Sequence, residues 1–444
     1  MKDLTEGSIA SHLVRMALPI GIGMVFQTLY HLVDLYFVSR LGDAAIAGVS
    51  AAGNLQFLVM ALTQVLGVGS GALIAHAAGR KDRDDANLIF NQSLGLAALC
   101  ATITLAAGYI GAEYYMATLA ADEATVKAGT AYLYWLLPGM GLQFALISMG
   151  SALRGTGIVK PTIVVQILTV LLNAALCPIL ISGWLTGMPL GVVGAGLATS
   201  ISVAVGVLLM FLYFHRLERF VEFHSALMWP RALNWRRILA VGLPPGAEFG
   251  FMFLFMGVIY WTISGFGAEA QAGFGIGSRV MQAIFLPAMA IAFATAPVAG
   301  QNMGAGKFDR VRLTFRTAVV MLSCLMLLLT VLCQIRPDLP IAMFSDEPAV
   351  IAAGAGFLRI ISYNFVANGI VFTCSGMFQA MGNTVPSLLT SGSRVISFVL
   401  PAIWLSTQPW FEIHHLWYVS VLSLTLQAIL AWALLAREMK IRLQ

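Results

Sequence analysis

Charge is what this chain has least of. Only 10% of its 444 residues are Asp, Glu, Lys or Arg, against about 25% in soluble proteins. The longest polar connection, residues 215–237, is shorter than the roughly 40 residues below which a domain needs outside support, so no soluble domain is expected. Cysteine is scarce too. Cys100, Cys177, Cys324, Cys333 and Cys374 all sit in apolar runs, none as a CxxC pair, which excludes a disulfide framework and a zinc site of that pattern. There is no G-x-x-x-x-G-K-[ST] loop and no HExxH helix, which excludes ATP as the energy source and zinc-peptidase chemistry. Gly67-Val68-Gly69-Ser70-Gly71 lies inside an apolar run and reads as a small-residue packing surface. No cluster of catalytic His, Asp or Cys falls at mid-membrane, so an intramembrane enzyme is not expected. The +5 net charge resides in loops and reports topology, not nucleic-acid binding.

What is abundant is apolar. The chain is 59% hydrophobic, with a mean hydropathy of +0.86. Apolar runs of about 20 residues, enough to cross a bilayer, fall near 14–38, 45–76, 89–112, 129–152, 161–183, 190–214, 238–266, 270–300, 315–335, 350–380, 386–408 and 415–436. The expected fold is an all-α polytopic protein of twelve spans, with the second, eighth and tenth long enough to tilt or project. The first run lacks a small-residue cleavage site and contains Asp34, so it reads as a retained span and not a signal peptide. Nineteen of the 25 Lys and Arg residues fall on the side holding the N-terminus, the even-numbered loops and the C-tail; three fall opposite. That bias predicts both termini in the cytoplasm.

The chain also repeats itself. Leu18-Pro19 matches Leu243-Pro244, Ala47-Gly48 matches Ala272-Gly273, and Gly157 with Pro161 matches Gly382 with Pro386, each 225 residues on. Six spans per half make a parallel repeat, with a binding site expected between the halves. The expected division is 1–214 (N-lobe), 215–237 (cytoplasmic linker) and 238–444 (C-lobe). Prolines inside spans, Pro19 and Pro244 among them, are candidate gating or structural hinges.

Within the first span Gln27, His31 and Asp34 are spaced four and three residues apart and share one helix face. An acid at a helix centre in lipid costs roughly 2.5–3.5 kcal/mol, which makes it a functional candidate. Asp34 reads as a proton or sodium acceptor; the competing reading has it reach the interface and pair with Arg40. His31 is a proton relay or a bundle hydrogen-bond partner, and Gln27 a cavity lining or a bridge between helices. In the second half Glu248 is a candidate for cation or substrate binding, or a near-interface acid partly hydrated. Arg279 and Arg394 lie within spans and need acceptors, backbone carbonyls or Glu248. Tyr260 and Met281, on an aromatic and methionine-rich surface, are candidates for a cavity taking flat cations, with ordinary packing as the alternative.

Val33-Asp34-Leu35-Tyr36-Phe37-Val38, Leu41-Gly42-Asp43-Ala44-Ala45-Ile46-Ala47-Gly48, Gly277-Ser278-Arg279-Val280, Gly300-Gln301-Asn302-Met303-Gly304-Ala305-Gly306 and Gln379-Ala380-Met381-Gly382-Asn383-Thr384 resemble the multidrug and toxic compound extrusion (MATE) family, most closely its DinF-like branch. The resemblance runs from the first span to the eleventh. It implies a secondary transporter that exchanges a cation, H+ or Na+, for an organic, cationic amphipathic compound. It also implies a coupling site of Asp34 with Asn173 on the fifth span and Thr199 on the sixth, oxygen donors suited to a hard cation such as Na+. Where the branch carries a second Asp, this chain has Cys177. The remaining expectations are a monomer in the inner membrane, no cofactor beyond the coupling ion, and small-molecule substrates as partners. The alternative within the superfamily is a flippase for lipid or lipid-linked oligosaccharide.

Overall fold

The structure, a computed structural model, describes residues 1–119, 122–218 and 220–443; the side chains of His31, Asp34 and Leu35 lie outside the described residues. Among the described residues the regular elements are all helical. They are α1 (Ile9–Val38), α2 (Asp43–Gly79), α3 (Arg83–Leu119), α4 (Glu123–Gly155), α5 (Lys160–Ile181), α6 (Val192–Arg216), a short α7 (Ser225–Met228), α8 (Ala232–Ile263), α9 (Ala268–Gly304), α10 (Phe308–Ile335), a short α11 (Asp338–Ala342), α12 (Pro348–Ile361), α13 (Asn364–Ala380), α14 (Val385–Ser406) and α15 (Ile413–Arg442). Eleven helices are long and apolar enough to cross a bilayer, and α12 with α13 make a twelfth across a 55° bend. The protein is therefore a multi-pass membrane protein with the expected all-α architecture.

Two compact units organise these helices: Met1–Asp3 with Pro19–Leu243, and Leu4–Leu18 with Pro244–Gln444. Two of the three borders fall at the Leu-Pro pairs that mark the repeat. α1 therefore belongs to unit 2 up to Leu18 and to unit 1 from Pro19, whereas α8 belongs to unit 1 up to Leu243 and to unit 2 from Pro244. The repeat is also visible in backbone geometry. A one-turn 3-10 segment, Ser39–Leu41 or Ser264–Phe266, leads into Gly42 (φ 102°, ψ 172°) or Gly267 (φ 91°, ψ 174°) before α2 or α9. Only glycine adopts these angles without strain.

Unit 1 shows how buried polar groups are satisfied when water is absent. α4 starts on Asp122, whose carboxylate accepts from the Thr125 N–H at 2.7 Å, and that bond holds the carboxyl below the usual carboxylate range. Midway, Pro138 has no N–H to give the Tyr134 carbonyl one turn back. The Tyr109 hydroxyl of α3 donates to that carbonyl at 3.0 Å. At the next rung the Ser200 hydroxyl of α6 is inserted, accepting from the Gly139 N–H at 3.0 Å and donating to the Trp135 carbonyl at 2.5 Å. α4 stays one continuous helix as a result.

The connection after α6 is docked and not loose. Asn87, Asn91 and Gln92 of α3 read its backbone as a neighbouring strand would. Asn87 accepts from the Glu222 N–H (2.6 Å), Asn91 donates to the Glu222 carbonyl (2.9 Å) and accepts from the His224 N–H (2.8 Å), and Gln92 accepts from the Arg231 N–H (3.0 Å). Phe90 stacks on Phe214 at 4.9 Å, with Phe223 packed on both.

The tenth span departs from expectation. The apolar run 350–380 reads as one long span that tilts or projects; instead the helix breaks between Ile361 and Asn364. No Gly or Pro stands at the break.

Candidate functional site

In unit 1 the site is built on α5 and α6. Asn173 is fully buried and Thr199 nearly so. The Asn173 amide Nδ2 lies 3.4 Å from the Thr199 hydroxyl, and the Cys177 thiol donates to Asn173 Oδ1 at 3.6 Å. The structure therefore brings Asn173, Thr199 and Cys177 together. The side chains of Asp34 and His31 lie outside the described residues, but their helix is placed. Gln166 Nε2 of α5 donates to Gln27 Oε1 of α1 at 2.8 Å, and a Cβ at Gly23 would sit 2.7 Å from Gln166 Oε1. Gln27 thus bridges helices. Asp34 and Asn173 each lie seven residues beyond this bridge, about 10 Å further along parallel helices, and so share one register level. Arg40, the rival partner for Asp34, has its guanidinium on the Tyr36 ring, 4.6 Å from the centroid.

In unit 2 the acid stands elsewhere in the repeat. Glu248 of α8 is the counterpart of Gly23, and Ser391 of α14 the counterpart of Gln166. The long polar side chain has changed helix: Gln fills the space opposite Gly in one repeat, and Glu fills it opposite Ser in the other. The hydroxyls of Ser387 and Ser391 face the Glu248 carboxylate, while among the described residues its buried Oε1 has no hydrogen-bond partner. Gln427 of α15 reaches Ser391 Oγ at 3.5 Å, and among the described residues its own buried Oε1 has no partner either. Conversely, the counterparts of Asp34 and Asn173 are Ile259 and Phe398, both buried in apolar packing. The Asn173 cluster of unit 1 and the Glu248 cluster of unit 2 therefore stand at different depths of the repeat.

Arg394, one helical turn beyond Ser391, lies over Phe255 at 4.4 Å and its Nε has no partner; among the described residues no ion pair joins it to Glu248. Arg279 is exposed on α9. Tyr260 packs edge-on against Phe274 at 5.2 Å, and Met281 sits at the margin of the same apolar core. Pro19 and Pro244 stand where α1 and α8 pass from one unit to the other. Sequence reasoning missed Gln166, Ser387, Ser391 and Gln427, because single polar residues in apolar runs carry no spacing signal. The 225-residue offset, which carries Gly23 onto Glu248 and Gln166 onto Ser391, is the signal that leads to Gln166 and Ser391.

The Gly300–Gly306 string closes unit 2 on its polar side. Gln301 Oε1 accepts from the Leu4 N–H at 3.0 Å, and Asn302 Nδ2 donates to the Leu4 carbonyl at 3.1 Å. Lys307 donates to the Thr5 carbonyl at 3.0 Å and Arg310 to the Gly7 carbonyl at 3.0 Å. This string captures the segment leading into α1.

With that geometry in place, comparison with known proteins is informative. A MatE family model matches residues 19–179 and 244–405, one copy starting at each border proline. The probable multidrug resistance protein YpnP of Bacillus subtilis is 26% identical over 394 residues, covering 85% of this chain and 86% of that protein. An FAD transporter of Shewanella oneidensis is 25% identical over 412 residues, covering 90% and 89%. An outward-facing multidrug resistance MATE family transporter of the MOP superfamily shares the fold with a TM-score of 0.91 at 23% identity, covering 99% of this chain and 98% of that one. The two family matches span most of both packing units, and the chain belongs to the MatE family of membrane transporters.

Proposed function

We propose that this protein is a cation-coupled exporter of organic, cationic amphipathic compounds. It would work as a monomer in the inner membrane with both termini in the cytoplasm, exchanging H+ or Na+ for the solute. The observation that carries this reading is the register of α1 on α5: the Gln27–Gln166 bridge sets Asp34 level with buried Asn173, which lies beside Thr199. A carboxylate with amide and hydroxyl oxygens makes a hard-donor set for a proton or a sodium ion. Cys177 contributes no second negative charge there, so one cation neutralises the cluster. Coupling then requires that cation and solute each bind the carrier's two states unequally. The likeness to the probable multidrug resistance protein YpnP of Bacillus subtilis supports a drug-like solute.

A second reading takes an anionic solute. Arg279 is exposed within a membrane-spanning helix, where a charge needs an aqueous cavity or a ligand, and one relative is an FAD transporter.

The test is efflux from proteoliposomes under imposed proton or sodium gradients, with a cationic dye and an anionic dye side by side. Gradient-driven loss of the cationic dye is expected. Selective export of the anionic dye would transfer the conclusion to the second reading, and gradient-independent leakage of both would sink transport altogether. Glu248→Gln is expected to reduce coupled efflux at least several-fold, since it removes the carboxylate of its cluster while keeping the side chain's size. Efflux and ion dependence equal to wild type would make Glu248 a structural residue.

A further inference from the structure

The broken tenth span pairs with a continuous one, and the comparison is informative. In unit 1 the Tyr109 hydroxyl donates to the Tyr134 carbonyl, left without a donor by Pro138. Adding 225 to 134 and 138 gives Arg359 and Tyr363 in unit 2, and Gln334 lies on α10, the helix that corresponds to α3. Gln334 of α10 does donate, through Nε2, to the Arg359 carbonyl, at 2.6 Å. The repeat has thus kept the side-chain donor and the carbonyl it serves, but has lost the proline. Other groups reinforce the arrangement. Gln334 Nε2 also donates to Ser362 Oγ at 2.8 Å, Ser362 Oγ donates to the Arg359 carbonyl at 3.1 Å, and Thr330 donates to the Ser362 carbonyl at 3.0 Å.

The loss of proline changes what the element can do. Pro138 can never donate to Tyr134, so the bond from Tyr109 has no competitor. Tyr363 has an N–H. In the present bent form it is turned to the Ile360 carbonyl at 3.3 Å. In a straight helix that same N–H would reach the Arg359 carbonyl, one turn back, where Gln334 now donates. Besides the Ser362 hydroxyl, this acceptor therefore has two alternative donors, each belonging to a different shape of the span. We infer that α12 and α13 form a two-state hinge, with Gln334 as the positioning residue that holds the bent state and the Tyr363 N–H as the backbone donor of the straight one. The two forms exchange one hydrogen bond for another, so neither leaves the carbonyl unpaired, and such an element is bistable and not merely flexible.

This inference rests on the transport reading for its purpose, though not for its test. Tyr363 has φ −61°, which proline accepts, so Tyr363→Pro removes the competing donor without forcing the backbone, and Gln334→Leu removes the other. In purified protein freed of its native cysteines, spin labels at Ala352 in α12 and Val371 in α13 report the distance across the break. Wild type is expected to show two distances whose ratio moves with pH, sodium or added substrate. Gln334→Leu should enrich the longer, and Tyr363→Pro, which removes the competing backbone donor, should fix the ratio so that pH, sodium and substrate no longer move it. Each variant should slow dye efflux several-fold, and Gln334→Asn, which retains a donor, should recover part of both effects. A single distance that neither substitution moves, or wild-type efflux in Tyr363→Pro, overturns the hinge. Failure of wild-type protein to transport any dye would overturn the proposed function instead, leaving the distances to decide the hinge on their own.

Discussion

Asp34→Asn is expected to abolish gradient-driven efflux while leaving the amount of folded protein in the membrane unchanged. Asparagine keeps the size and one oxygen of the side chain but never carries charge, so a cation loses its counter-charge while packing survives. An uncharged group in this span also removes an insertion cost of roughly 2.5–3.5 kcal/mol for an acid near a helix centre, so the variant should be no less stable than wild type. Asn173→Ala should give a weaker form of the same defect, because it deletes the neutral donor at the level of Asp34 and strands the Thr199 hydroxyl. Efflux by Asp34→Asn vesicles at the wild-type rate under a proton or sodium gradient would remove the coupling role from this residue. Loss of efflux with loss of folded protein would mean that the acid stabilises the bundle instead.

Which features could be read beforehand follows from the physics of each. Twelve spans were legible because a bilayer demands about 20 apolar residues wherever a helix crosses it, and that demand is written locally. The repeat was legible because Gly and Pro mark backbone geometry, and the shared angles at Gly42 and Gly267 explain why the offset fell there. The break at Ile361–Asn364 was not. Proline marks the fourth span at Pro138, where Tyr109 and Ser200 serve the freed groups of a continuous helix, while the tenth breaks where donors on α10 meet its carbonyls, with no marker of its own. Tertiary hydrogen bonds decided both cases against local propensity. The Glu248 cluster was half legible: the acid stood out, but Ser387, Ser391 and Gln427 come from helices more than 130 residues away and look ordinary in their own runs. Arg394 shows the converse, since an aromatic face took the place of the anionic partner that its charge suggested.

Gly242→Leu and Gly69→Val should each lower the unfolding temperature sharply, by far more than any surface change in the same helices. A Cβ at Gly242 would lie 1.9 Å from the Val65 carbonyl oxygen, and one at Gly69 would lie 2.2 Å from the Ile238 carbonyl oxygen. Residues 65 and 69 of α2 therefore meet 242 and 238 of α8, an antiparallel crossing in which backbone touches backbone through one small residue on each side. Such contacts are the main source of helix association in lipid, where no hydrophobic force distinguishes helix from solvent. The obstructing atoms are main-chain oxygens, which cannot rotate away, so helix separation is the only relief. Overpacking costs about 1–3 kcal/mol where side chains can adjust, and here the cost should lie at or above the upper end. The two substitutions should be less than additive when combined, because a crossing already opened by one accommodates the other. Gly250→Ala is the control: it lies later in α8, where a Cβ meets nothing within 4 Å, and it should unfold with wild type. The crossing also fixes the stretch of α8 that precedes Pro244, the residue at which that helix passes from unit 1 to unit 2. Partial opening in the milder Gly242→Ala should therefore reduce efflux before it unfolds the protein, whereas unchanged melting in Gly242→Leu would show that the crossing is looser than these distances require.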